Sequence, residues 1–314
     1  MRSRAPSIQS RTATFLLKRL VKREQAQDSS VGTVRRAVNT FMWLTPRQSG
    51  VKVFPSRQAQ LPGEWVVCPQ AEAGRLVLYL HGGGYFFGSP QSHRPLTTRL
   101  SRLSASRVLA LRYRLAPEYP FPSAIEDAAR AYCTLLSQGV LPEKIVLAGD
   151  SAGGGLALAT LLSLKDHGVP LPAGAICFSP WTDLAVTGES VHRNADRCAM
   201  FQEGALHRAA RQYLGGVSPY HPLASPIYAN LEGLPPLLIH VSDTELLTDD
   251  SRRIVEYARL AGVQARIEVY PDQPHVWQLF SLLPEALDSL QKAATAVKEW
   301  TGAVRPAVAT LLRS

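Results

Sequence analysis

The sequence predicts an α/β protein built on an eight-stranded, mostly parallel, doubly wound sheet. Three observations carry this expectation. Short apolar runs recur from about residue 51 onward. They are nearly continuous rather than alternating, as expected for strands covered on both faces. From the third run on, most gaps are long enough for a helical crossover, which joins parallel strands.

Residues 12–24, TATFLLKRLVKRE, read as a helix. At about 100° per residue, Leu16, Leu17, Leu20 and Val21 gather on one side and Lys18, Arg19, Lys22 and Arg23 on the other. Such a helix either packs on its own domain with a solvated basic face, the favoured reading, or lies on anionic lipid. The eight expected strands are Val51–Phe54, Trp65–Cys68, Leu76–Leu80, Val108–Arg112, Ile145–Ala148, Ala175–Ser179, Leu237–Val241 and Ile267–Tyr270. The first two are close enough for an antiparallel start. Crossover helices are expected at Ser123–Ser137, Gly153–His167, Asp249–Ala261 and Pro284–Trp300. The gap between Ser179 and Leu237 exceeds what a crossover needs and holds a further helix near Phe201–Leu214. The expected organisation is an N-terminal cap arm over 1–50, a catalytic domain over 51–302 with a cap insertion at about 185–225, and a tail over 303–314.

The net charge is +9, but residues 1–60 alone hold 12 Lys/Arg against 2 Asp/Glu, leaving the remainder at −1. A nucleic-acid-binding body would carry its own basic stripe, so no nucleic-acid partner is expected. The apolar run near residue 16 is too short, and too interrupted by Lys18 and Arg19, for a signal peptide. No segment approaches the length of a membrane span. Cys68, Cys133, Cys177 and Cys198 form no CxxC pair, which argues against a zinc site or disulfide framework. Cys133 and Cys177 sit in apolar runs and read as core residues. A cytoplasmic location is expected. Contact of the arm with a membrane surface, not favoured, and a homodimer stay open.

Two stretches carry chemistry. IVLAGDSAGGGLALATLL, residues 145–162, runs a strand into Gly149-Asp150-Ser151-Ala152-Gly153 and then into a helix. This is G-x-S-x-G where a sharp strand-to-helix elbow would expose a nucleophilic hydroxyl. LVLYLHGGGYFFG, residues 76–88, places three glycines after a strand end. Glycines there stabilise little, but their bare N–H groups suit an oxyanion, with the Ala152 N–H as a further donor. A phosphate loop would end in Lys-Ser/Thr, whereas Tyr85-Phe86-Phe87 follows here.

A serine nucleophile needs a base, and the base an orienting acid, in the chain order Ser, acid, His for this topology. After Ser151, His275 in YPDQPHVWQLF is the histidine on a loop beyond the last strand. For the acid, LLIHVSDTELLTDDS offers Asp243 and Glu245 on spacing alone, with Asp249 and Asp250 opening the next helix.

HGGGYFFGS, YRLAPEYPFPSAIEDA, GDSAGG, SPWTDL and PHVWQLF together resemble the hormone-sensitive lipase-like family of bacterial esterases over residues 60–300. These are capped enzymes of the α/β-hydrolase fold. The resemblance implies Ser151 as nucleophile, His275 as general base, and Gly83, Gly84 and Ala152 as oxyanion donors. The family's acid lies in an Asp-Pro-Leu triplet, which falls on Glu245-Leu246-Leu247. The sequence thus departs by putting Glu for Asp and by losing the Pro. Glu can serve as a triad acid, so Glu245 is preferred to Asp243. Tyr113–Glu118 is expected to buttress the elbow, and Tyr85, Phe86 and Trp181 to form the substrate-binding wall. The implied activity is a carboxylesterase acting on short- to medium-chain acyl esters, without metal or cofactor. The alternatives are an amide or N-acyl hydrolase on the same triad and a non-catalytic small-molecule receptor. Retention of His275 argues against the receptor.

Overall fold

Polar alternation is absent from the central strands because both their faces are covered. β3 (Leu76–Leu80), β5 (Ile145–Asp150), β6 (Gly174–Phe178) and β7 (Leu237–Ser242) are buried at every position. They lie in a computed structural model that describes residues 5–24, 31–32, 35 and 47–302. With β1 (Lys52–Pro55), β2 (Gly63–Val67), β4 (Arg107–Leu111) and β8 (Ala265–Tyr270) they form one eight-stranded sheet in the order β1-β2-β4-β3-β5-β6-β7-β8. β2 pairs antiparallel with both β1 and β4, and all other pairs are parallel. The antiparallel start read from the sequence is therefore present. β1 and β8, at the edges, expose part of their length.

Helices cover both faces. α1 (Ile8–Glu24) precedes the sheet, followed in chain order by α2 (Arg94–Ser104), α3 (Ser123–Ser137), α4 (Ala152–Asp166), α5 (Ser190–Arg193), α6 (Glu203–Leu214), α7 (Thr248–Leu260) and α8 (Pro284–Gly302). Leu96 and Leu100 of α2 share a core with Leu290 and Val297 of α8. The larger core, on the opposite face, takes Ile125 of α3, Leu156 of α4 and Ile254 of α7. α5 and α6 occupy the insertion between β6 and β7, and α6 buries Leu206, Ala209, Ala210, Tyr213 and Leu214 against that larger core.

Three differences from the sequence reading stand out. α2 was not anticipated, because RPLTTRLSRLS is poor in apolar residues and is held by only a narrow stripe at Leu96, Leu100 and Leu103. Cys133 is exposed on the outer side of α3 rather than in the core. α1 begins earlier than expected and turns Ser10, Thr14 and Leu17 inward, whereas Leu16 is exposed. Ser7 and Ser10 decide that orientation: the Ser7 N–H and hydroxyl donate to Glu285, and the Ser10 hydroxyl donates to Gln273. No helix among the described residues is long and apolar enough to cross a membrane. The tail over 303–314 and most of the arm between 25 and 46 lie outside the described residues.

Candidate active site

Ser151 stands between β5 and α4 with φ 52° and ψ −123°. A positive φ on a non-glycine residue costs on the order of 1–3 kcal/mol and persists only where the surroundings impose it. Here they do. The Ser151 N–H donates to the Phe178 carbonyl at 2.8 Å, and the Ser151 carbonyl accepts from Trp181 N–H at 2.9 Å. The flanking glycines are required by close approach: a Cβ on Gly149 would lie 2.2 Å from the Gly153 carbonyl oxygen, and one on Gly153 would lie 2.1 Å from that of Leu80. Ala152 opens α4, so its N–H belongs to the unpaired first turn at the positive end of a helix dipole.

Beyond β7 and β8 the structure brings Glu245 and His275 together. Both are buried, and His275 Nδ1 donates to Glu245 Oε2. The other carboxylate oxygen accepts from Ser242 N–H at 2.7 Å and from the Ser179 hydroxyl at 2.8 Å. A carboxylate only accepts, so Nδ1 carries the ring proton and Nε2 is left with its lone pair. His275 Nε2 is buried and has no hydrogen-bond partner among the described residues. Ser151 Oγ is therefore not yet bonded to it, and such links are often open before substrate binds. Asp243 is engaged elsewhere: its Oδ1 accepts from Asp272 N–H at 2.8 Å and its Oδ2 lies 3.8 Å from Arg197. Asp249 and Asp250 cap other segments, accepting from Ser190 N–H and from Thr182 and Asp183 N–H respectively.

The glycine run also has a packing cause that the sequence does not show. A Cβ on Gly82 would meet Asp150 Oδ2 at 2.2 Å. One on Gly83, at φ +118°, would meet the Phe87 carbonyl oxygen at 2.2 Å, and Gly84 holds φ +57°. The glycines are thus demanded first by the loop's own packing on Asp150 and on its next turn. Asp150 Oδ1 accepts from Gly82 N–H at 3.0 Å and from the Tyr79 hydroxyl at 2.6 Å, while His93 Nε2 donates to Oδ2 at 3.2 Å. Burial alone pushes the Asp150 carboxyl up, but the His93 charge and these donors outweigh it and hold it below its usual value. Burial likewise pulls the His93 imidazole down, and Asp150 outweighs it and raises it. His81, buried and beside His93, is pushed down to about 3. Asp150 and His93 were missed at the sequence level; the only local signal is the Asp inside GDSAG.

The predicted wall residues lie at different depths. Tyr85 and Trp181 are fully buried, and Tyr85 stacks on Tyr213 of α6 with centroids 3.7 Å apart. Trp181 Nε1 donates to the Asp183 carbonyl. Phe86 keeps partial exposure. Tyr113–Glu118 braces the glycine loop rather than the elbow: the Tyr113 hydroxyl donates to the His81 carbonyl at 2.6 Å, and Ala116 N–H to that of Tyr85 at 3.0 Å. Arg35, from the arm, donates to the carbonyls of Phe86 and Ala116 and pairs with Glu118. From the insertion, Phe201 sets its ring edge-on to His275 with centroids 5.0 Å apart. Asn194 Nδ2 donates to the carbonyls of Asp243 and Glu245 at 3.0 and 2.9 Å.

Residues 77–279 match the family model described as α/β-hydrolase fold. The chain is 48% identical over 240 residues to an acetyl-hydrolase of Streptomyces hygroscopicus, covering 76% of this chain and 80% of that one. It is 36% identical over 281 residues to an esterase of Acinetobacter venetianus, covering 89% and 92%. A crystal structure of an esterase from the bacterial hormone-sensitive lipase family superposes with a TM-score of 0.90 at 40% identity, over 95% of this chain and all of that one. The chain belongs to the α/β-hydrolase fold family and, within it, to the bacterial hormone-sensitive lipase-type carboxylic ester hydrolases.

Proposed function

We propose that the protein is a serine carboxylesterase in which Ser151, His275 and Glu245 act as the triad and Gly83, Gly84 and Ala152 as the oxyanion donors. The observation that carries this reading is the buried pair between His275 Nδ1 and Glu245, beyond the C-terminal ends of the strands where the strained Ser151 also stands. Glu245, fixed by Ser242 and Ser179, orients the imidazole and stabilises the imidazolium. His275 Nε2 takes the proton of Ser151 as Oγ attacks the ester carbonyl. The three amides hold the tetrahedral oxyanion, His275 protonates the leaving alcohol, and water repeats the sequence on the acyl-enzyme.

The arm and the insertion act as the cap. Phe86, with Tyr85 and Trp181 behind it, walls the acyl site. Aromatic crowding by the Tyr85–Tyr213 stack and by Phe201 favours short- to medium-chain acyl groups, in keeping with the acetyl-hydrolase and esterase names of the relatives. Free cysteines at 68, 133, 177 and 198 suit a reducing cytoplasm.

A p-nitrophenyl ester series from acetyl to palmitoyl tests this with wild type and Ser151→Ala. The expected outcome is a preference for the short end and a loss of at least about a thousandfold in the variant. A folded wild type inert on every ester would contradict it.

A further inference from the structure

α1 has two faces of different character. The inward face is packed on the domain: Ser10, Thr14 and Leu17 are buried, and Ser7 and Ser10 are bonded to Glu285 and Gln273. The outward face is not what a merely solvated helix would show. Ile8 is 79% exposed, Phe15 53% and Leu16 49%. Arg11 and Arg19 are exposed on the same helix, Lys18 is half-buried, and no acidic residue occurs between residues 5 and 19. The Arg19 guanidinium lies 4.6 Å above the Phe15 ring. Leu282 and Leu287, beside the Glu285 that anchors Ser7, are also exposed. Five of the twelve large apolar side chains exposed among the described residues therefore belong to α1, to the start of α8 and to the loop just before it.

The same helix carries five of the twelve Lys/Arg found in the first 60 residues. The first 60 residues carry a surplus of ten positive charges, while the rest of the chain sums to −1. A nucleic acid would meet the cations but leave Ile8 and Leu282 in water. A second copy of the chain offers no net acidic body to meet them. An anionic bilayer takes both: aliphatic and aromatic side chains enter the acyl boundary while guanidinium groups meet headgroup phosphates. We propose that the outward face of α1, with Leu282 and Leu287, docks the enzyme on an anionic lipid surface. The Ser10–Gln273 bond ties the opposite, inward face of α1 to the loop of His275, two residues further along. Docking there leaves α1 between that loop and the bilayer, a helix diameter of about 10–12 Å.

Flotation of the full-length chain with vesicles tests the proposal, using phosphatidylcholine alone and phosphatidylcholine mixed with phosphatidylglycerol. The chain is expected to float with the mixed vesicles and not with phosphatidylcholine alone. Arg11→Gln with Arg19→Gln should weaken binding about thirtyfold, at about 1 kcal/mol per cation near an anionic surface. Phe15→Ser with Leu16→Ser should weaken it at least about tenfold. Ile8→Ser with Leu282→Ser, on separate elements, should do the same. Melting temperature and p-nitrophenyl acetate turnover should stay near wild-type values, since these side chains lie on the surface of the protein. Three results would overturn the proposal: a wild type that stays unbound, binding indifferent to both apolar pairs, or self-association dissolved by the same substitutions.

Discussion

The two halves of the candidate active site, the Ser151 elbow and the Glu245–His275 pair, are held in different ways. The Ser151 half is braced from within the sheet. Tyr79, Gly82 and His93 converge on the Asp150 carboxylate, one residue before Ser151. The His275 half is braced from outside it. Asn194 of the insertion holds the backbone of the Glu245 turn, Phe201 flanks the imidazole, and Ser10 of α1 bonds to Gln273. Ser151 therefore rests on a buried charge pair, whereas Glu245 and His275 lean on the insertion and α1 in addition to Ser179 and Ser242. Substitutions in the insertion should disturb the base without loosening the elbow, and substitutions at the charge pair should do the reverse.

The largest effect should come from the acid. Glu245→Ala is expected to lower kcat by about ten thousandfold, as loss of an orienting carboxylate does in serine hydrolases. Asp243→Ala, whose partners are Asp272 and Arg197, should stay within about tenfold of wild type. Steady-state kinetics on p-nitrophenyl butyrate, with circular dichroism to verify folding, checks both. The reverse ranking would move the acid to Asp243.

Next comes the brace under the glycine loop. Asp150→Asn removes the charge that pairs with the buried His93, and breaking such a pair costs about 3–5 kcal/mol. The melting temperature should fall by several degrees. Loosening the Gly82 anchor should also cost about a hundredfold in kcat with KM little changed, because oxyanion donors act in the transition state. A stable variant with full kcat would show that the loop holds itself. Asn194→Ala should be milder, about tenfold in kcat, since it removes two hydrogen bonds to the turn rather than a group in the reaction path.

How far the site was legible in the sequence follows the same division. Eight strands, the elbow and the loop after β3 announce themselves through apolar runs and glycines adjacent in sequence. Spacing alone leaves Glu245 and Asp243 open, because two acids two residues apart look alike until the turn is folded, and the preference for Glu245 comes from the family's Asp-Pro-Leu triplet. Asp150–His93 spans 57 residues, and the Asn194 contacts about 50. Contacts of that separation leave no local pattern. The packing demand at Gly82 is invisible on the same account: the group crowding it is a carboxylate 68 positions away.

The smallest effect expected is a pH dependence of stability. The pKa of His93 is raised in the folded state, so its contribution is fully present below the ordinary imidazole value of about 6.5 and is lost as pH climbs through the higher folded value. Melting temperature should fall across that window, and His93→Gln should flatten the fall relative to wild type. An unchanged slope would mean that the pair does not ionise as described.

The central claim, that Ser151 is the nucleophile activated by His275 and Glu245, is tested most directly by covalent labelling. A fluorophosphonate reacts with an activated serine and can be located by peptide mass spectrometry. The account predicts one adduct per chain, on Ser151, absent in Ser151→Ala and formed far more slowly in His275→Ala and Glu245→Ala. An adduct on another residue, or labelling that survives in Ser151→Ala at the wild-type rate, would contradict it.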